Sequence, residues 1–230
     1  MCIRDRFNSI YTAEHYDARL EQKEWNTVDF DDSKWHGVGY RAVPSQNVVS
    51  QQVQPIRAVD TLTVKSWKQL NDTTYVFDFG QNMAGVTHIK VAGEAGTVIQ
   101  MKHGERLYEN GKVNTSNIDV YHRPVDNSDP FQTDILILSG KGEDEFVARF
   151  NYKGFRYVEV TSSKPITLNK KSLTAYFVHS DVEKIGKVIA SNEIINKLCK
   201  ASDNSYLSNL MGYPTDCPQR EKNGWTGDGH

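Results

Sequence analysis

The chain has 230 residues, 38% of them hydrophobic and 24% charged, and a formal net charge of −2. This is the composition of a folded globular protein, and the length allows one large domain or two ordinary ones. The small negative balance gives no electrostatic basis for a nucleic-acid or anionic-membrane partner, and no apolar run approaches the roughly 20 residues that span a bilayer.

The opening MCIRDR is basic but is followed by no apolar stretch, so it does not read as a secretory signal. Residues 1–6 read as a non-native scar on a fragment whose own start lies upstream. Residues 7 to about 45 are rich in aromatics and acids, with Asp31, Asp32 and Ser33 suited to a turn or cap before Trp35. The stretch is too short to own a core, so residues 1–50 are expected to be the remnant of a preceding β-sandwich domain with its linker, or a strand and loop docked on the next domain. VPSQNVVSQQVQP (Val43–Pro55) has two prolines and few large apolar groups, and reads as linker or extended edge.

From Thr61 to Val182 the period is two. TLTVKSW, YVFDFG, THIKVAG, TVIQMKHG, FQTDILILSG, EFVARF, YVEVTS and LTAYFVHS place β-branched or aromatic residues on alternate positions. Turn residues separate them, including Asn71-Asp72, Gly80-Gln81-Asn82, Gly93 to Gly96, Glu109 to Gly111, Gly140 to Gly142 and Ser162 to Pro165. Such a run without helices predicts a mainly β fold, an antiparallel jelly roll or sandwich over residues 51–182, with Val76, Val98, Phe146, Val158 and Phe177 inside.

The period changes after Asp181. Ser191 suits an N-cap, and Glu193 lies in the first turn, where a negative charge suits the helix dipole. Ile194, Ile195, Leu198, Cys199, Ser202, Tyr206 and Leu210 follow helical spacing, ending near Gly212 before Pro214. One helix cannot bury its own stripe, so residues 183–230 read as the truncated opening of a helical domain.

The last eighteen residues, YPTDCPQREKNGWTGDGH, are the richest in reactive side chains. Prolines and glycines there preclude one continuous helix, so a loop presents Asp216, Arg220, Glu221, Trp225 and Asp228. Two carboxylates flanking a glycosidic bond are the minimal equipment for hydrolysing it, arginine is a fixed donor to hydroxyls, and tryptophan offers a face to a sugar ring. The plainer alternative is a solvated charged loop.

The string PTDCPQREKNGWTGD (Pro214–Asp228) resembles the signature of the bacterial α-L-rhamnosidases, glycoside hydrolase family 78. VFDFGQNMAGV (Val76–Val86), HGERLYENGKVN (His103–Asn114) and FNYKGFRYVEV (Phe150–Val160) resemble that family's concanavalin-like sandwich domain. EHYDARLEQKEWNTVDFDDSKWHGV (Glu14–Val38) resembles the end of the domain before it. The resemblance implies that residues 183–230 open an (α/α) six-hairpin barrel, and that terminal α-L-rhamnose is hydrolysed with inversion. It implies Glu221 as general acid and Asp216, Arg220, Trp225 and Asp228 as rhamnose-binding residues. The general base would be a glutamate further along the barrel, beyond this chain, so the chain alone is expected to be inactive. Asn223 stands where the family commonly has leucine.

The acid's role requires a raised pKa, from burial or from carboxylate neighbours. No metal or cofactor is implied. The three cysteines (Cys2, Cys199, Cys217) form no Cys-x-x-Cys pair and read as reduced; with only His230 nearby as a base, Cys217 is expected to pack rather than react. His88, His103, His122 and His179 lack metal spacing and read as hydrogen-bonded strand residues. Trp25, Trp35 and Trp67 suit packing better than a sugar platform, and Asp126–Asp129 suits a turn better than calcium. Two rival functions stand beside this reading: a non-catalytic carbohydrate-binding sandwich, and another (α/α)-barrel glycosidase.

Overall fold

The computed structural model describes residues 5–10, 12–37, 39–43, 45–119 and 129–229, with side chains through residue 227. Its strands are β1 (Arg6–Asn8), β2 (Glu14–Asp17), β3 (Ile56–Thr63), β4 (Ser66–Asn71), β5 (Thr74–Ala92), β6 (Val98–Gly104), β7 (Arg106–Leu107), β8 (Val113–Asn114), β9 (Thr133–Ile137), β10 (Glu143–Val147), β11 (Lys153–Ser162) and β12 (Leu173–Ser180). Ten of them form one curled sheet, and β7 pairs with β8 alone. The expected mainly β sandwich is what forms. Among the described residues, every pairing within 56–180 is antiparallel and the one parallel pair is β2 on β9, which stitches the N-terminal segment onto the sheet.

Gly80-Gln81-Asn82 is not a turn, contrary to the sequence expectation. Residues 74–92 are one strand, kinked where Gly80 takes a φ of 82° that a side chain disfavours. On β11 the register passes from Phe155↔Met83 to Tyr157↔Asp78, so four residues of β5 bulge opposite Arg156. Arg156 grips both carboxylate oxygens of Asp78 at 2.8 and 2.9 Å, and Asp78 Oδ1 accepts the Gly80 N–H at 2.7 Å. Before the kink β5 lies between β4 and β11; after it, β11 continues to Gly85 and β10 follows on that side, while β12 takes the place of β4 on the other. One strand therefore serves both halves of the curled sheet and turns residues 80–82 outward.

Phe77, Met83, Ile89, Ile99, Met101, Leu136, Phe146, Phe155, Val158 and Leu173 belong to one buried cluster. Each such side chain is worth about 1.5–3 kcal/mol of transfer free energy. Val76, Phe146, Val158 and Phe177 are buried as expected. Val98 is only half-buried, because Thr97, Ile99, Met101 and His103 are the inward set of β6; the alternation there runs one residue out of step with the expectation.

The only α-helix among the described residues, α1, spans Glu193–Ser208. Its N-cap is Asn192 rather than Ser191: the Asn192 side-chain oxygen accepts the Ile194 N–H at 2.9 Å. Leu207 packs against the core cluster, whereas Ile194 and Leu198 remain exposed. At the far end, Leu210 and Met211 are buried and Gly212 turns the chain with a φ of 83°.

Candidate active site

The terminal loop is built on the helix end and on β11. Thr215 donates its N–H and hydroxyl to the Asn209 carbonyl at 2.7 and 3.0 Å, anchoring the loop to the end of α1. Two bridges, Leu210 to Pro214 and Thr215 to Gly224, close it into a narrow hairpin. Its floor is Gly154 on β11: a Cβ there would lie 2.8 Å from Pro218 Cγ and 3.3 Å from the Gln219 backbone nitrogen, so only glycine lets the loop approach so closely.

Within the hairpin, Asp216 and Glu221 come together. One carboxylate oxygen of each and the Cys217 sulfur all lie within 4.8 Å of one another. Interaction with the Asp216 carboxyl pushes the Glu221 carboxyl above the usual range, and burial pushes the same way; Arg220, with Nε 3.4 Å from Glu221 Oε1, pulls it down. Asp216 is affected oppositely. Burial raises it, but its interactions with Glu221, Cys217 and the Asn223 backbone outweigh that and hold it below the ordinary value. The two carboxyls are thus pushed apart in pKa, with Glu221 the weaker acid. The Asp216 carboxyl is a larger cause of the Glu221 shift than burial.

Cys217 is not an isolated thiol: Sγ lies 3.5 Å from Asp216 Oδ2 as donor and accepts the Glu221 N–H at 3.4 Å. The trio is the only group of histidine, cysteine or carboxylate ligands so closely gathered among the described residues. Arg220 is half-buried, while Trp225 is exposed and its backbone N–H donates to the Pro214 carbonyl at 2.9 Å. Asp228 lies in the short turn Thr226–Gly229; its side chain is outside the described residues.

Beside the loop, a cleft of about 660 Å³ separates α1 from the β5 kink. Gly80, Gln81, Asn82 and Glu105 line one wall, Lys197, Lys200 and Asn204 another, and Asp216, Cys217 and Gln219 the end. Asn204 reaches across it to the Asn82 carbonyl at 2.7 Å. Of the cleft residues, sequence reasoning named Asp216 and Cys217 and missed the walls; the signals for those were the GQN of the Val76–Val86 motif and Glu105 of the His103–Asn114 motif.

Other candidates fall to structural roles. His88 bonds Tyr176 and Glu145, His103 bonds Thr87 and the Gln132 carbonyl, and His179 bonds the Ser180 carbonyl. His122 and Asp126 lie outside the described residues. Trp67 stacks on Tyr75 and Phe77, and Trp35 tilts against Phe30.

Lys222, which sequence reasoning passed over, is the best-anchored side chain of the loop. Its ammonium donates to the carbonyls of Ile10 and Tyr152, each at 2.8 Å, and to Asn151 Oδ1 at 3.2 Å.

Comparison with known proteins fits this arrangement. Residues 5–60 match the α-L-rhamnosidase N-terminal domain, 68–179 the bacterial α-L-rhamnosidase concanavalin-like domain, and 183–230 the bacterial α-L-rhamnosidase six-hairpin glycosidase domain. An α-L-rhamnosidase of Alteromonas sp. is 34% identical over 97% of this chain, and one of Formosa agariphila is 31% identical over 97%. The chain spans 24% and 23% of their lengths. Among solved structures, the α-L-rhamnosidase of Dictyoglumus thermophilum is 41% identical and superposes with a TM-score of 0.86, over 96% of this chain and 24% of its own. The Streptomyces avermitilis α-L-rhamnosidase in complex with L-rhamnose is 33% identical, with a TM-score of 0.80, over 94% of this chain and 20% of its own. Family domains matched in order along nearly the whole chain, on the fold those enzymes share, leave one assignment: the chain belongs to the bacterial α-L-rhamnosidase family.

Proposed function

We propose that this chain carries the general acid of an inverting α-L-rhamnosidase, with residues 51–182 as its sandwich domain and 183–230 as the opening of its catalytic barrel. The observation that supports this most directly is the Asp216–Glu221 pair, whose oxygens come within 4.8 Å of each other and whose pKa values are pushed in opposite directions, Glu221 up and Asp216 down. Glu221 donates that proton to the leaving glycosidic oxygen; Asp216, Arg220, Trp225 and Asp228 hold the sugar. The substrate is a terminal α-L-rhamnoside, in keeping with a relative solved with L-rhamnose. Asp216 is unsuited to be the base, because an inverting pair stands roughly 6.5–9.5 Å apart to admit water, and its oxygens lie within 4.8 Å of those of Glu221.

The test uses the full-length gene product on 4-nitrophenyl and methyl α-L-rhamnosides, with the anomer of the released sugar read by NMR. β-L-Rhamnose should form first. Glu221→Gln should lower kcat on the methyl glycoside by about 10²–10⁴-fold, and less on the nitrophenyl one, which needs little protonation. Equal losses on both substrates would remove Glu221 from the acid's role.

A further inference from the structure

We infer that Lys222 is a positioning residue for Glu221, its ammonium clamping the acid-bearing turn to the sandwich and to the N-terminal segment at once. This rests on the reading of Glu221 as the acid.

Lys222 stands between Glu221 and Asn223, whose N–H holds Asp216 Oδ1 at 3.0 Å. It takes a φ of 54°, the left-handed region that non-glycine residues enter only when something holds them there. That turn sends the Lys222 side chain inward, where it is 8% exposed, while the Glu221 side chain remains 39% exposed at the surface. The three donors of an ammonium match three acceptors: the Ile10 and Tyr152 carbonyls and Asn151 Oδ1. The nitrogen also lies 4.3 Å from the centre of the Tyr152 ring. If this residue relaxes, Glu221 and Asn223 both shift, and the carboxyl pair separates.

Stability alone does not account for a lysine here. Burial pushes its pKa down to about 7 and the Lys153 charge adds to that, while Asp134 and Cys217 act against it. Exchanging Lys222 for methionine removes the cost of burying an unpaired charge and adds the cost of three unfilled acceptors, two effects of opposite sign. What the apolar chain lacks is direction. Three hydrogen bonds to acceptors from two distant parts of the chain fix where the turn sits, and nothing apolar reproduces that.

The test uses the full-length gene product as Lys222→Met and Asn151→Ala, beside Glu221→Gln, with kcat and KM on methyl and 4-nitrophenyl α-L-rhamnosides and thermal unfolding of each. Lys222→Met should unfold within a few degrees of the parent. Its kcat on the methyl glycoside should fall about 10²-fold, as expected for a misplaced catalytic group, with a smaller loss on the nitrophenyl one and KM within about two-fold. Asn151→Ala, which removes one acceptor, should show the same selectivity more weakly. Unchanged kcat in folded Lys222→Met, or equal losses on both substrates with KM raised, overturns the proposal. Should Lys222→Met fail to fold, Asn151→Ala decides by the same criterion. Selective loss in Glu221→Gln without any in the other two sinks only the positioning role; no selective loss in Glu221→Gln sinks the acid reading itself.

Discussion

Asp216 and Asn223 hold each other twice: the Asp216 N–H donates to the Asn223 carbonyl at 3.1 Å, and the Asn223 N–H returns a bond to Asp216 Oδ1 at 3.0 Å. This reciprocal pair fixes one carboxylate oxygen of Asp216 and favours its ionised form. Oδ2 is left to the Cys217 thiol. The hairpin backbone thereby favours Asp216 as the stronger acid of the pair, in keeping with the proposed role of Glu221 as the proton donor.

It follows that Asp216→Asn should move the alkaline limb of kcat/KM to lower pH. A general acid works while protonated, so activity is lost as pH rises through its pKa. Removing the Asp216 charge returns Glu221 toward the ordinary carboxylate value, and the loss begins earlier. A pH–rate series on the full-length gene product measures this. An alkaline limb that stays in place, or moves up, would contradict the pairing.

Under the loop lies a second ionic cluster with a different role. Lys153 and Asp134 are paired with side chains 1% and 0% exposed, and Asp134 Oδ1 also accepts the Glu14 N–H at 3.0 Å. Glu14, itself buried, pairs with Arg6 and accepts the N–H groups of Arg149 and Phe150. These bonds tie the N-terminal segment to the sheet. Asp134→Asn strands the Lys153 ammonium in a dry interior and should cost about 3–5 kcal/mol of unfolding free energy, read as a lower urea midpoint. A double change, Asp134→Leu with Lys153→Met, should recover most of it. A loss below about 1 kcal/mol in the single variant would show the pair to be dispensable.

Nearby, His103 carries the acid sensitivity of the same region. Burial pushes its pKa from 6.5 down to about 4. The unfolded chain then binds more protons between those values, so stability rises with pH across the window and is lost as pH falls from 6.5 toward 4. His103→Gln should flatten that slope in urea titrations. A slope unchanged by the substitution would assign it to other groups.

The strands were legible because each half-buried segment alternates locally, and the acid loop because its residues are contiguous. What escaped reading depends on partners remote in the chain. Gly80-Gln81-Asn82 has turn chemistry, and only Asp78 and Arg156 across the sheet make it a bulge. The parallel pairing of β2 with β9 joins segments about 120 residues apart, as in His15↔Ile135. Lys222 looked like one more loop charge, since its acceptors Tyr152 and Ile10 are 70 and 212 residues away. Ser191 and Asn192 are both good caps, and geometry chose the second.

The last expectation concerns the 230-residue chain by itself, which should hydrolyse no rhamnoside. Inversion needs a base across the sugar from the acid, with a water between them. An Asp216 oxygen lies within 4.8 Å of one of Glu221, closer than the separation an inverting pair needs to admit water. The Glu221 side chain is also 39% exposed, so water competes with any leaving oxygen for its proton. Ile194 and Leu198 on α1 are 75% and 64% exposed, an apolar stripe that favours self-association. An assay of the purified chain on 4-nitrophenyl α-L-rhamnoside, beside a Glu221→Gln control, measures this. Turnover above the control would place the base within these residues and require a different division of labour between Asp216 and Glu221.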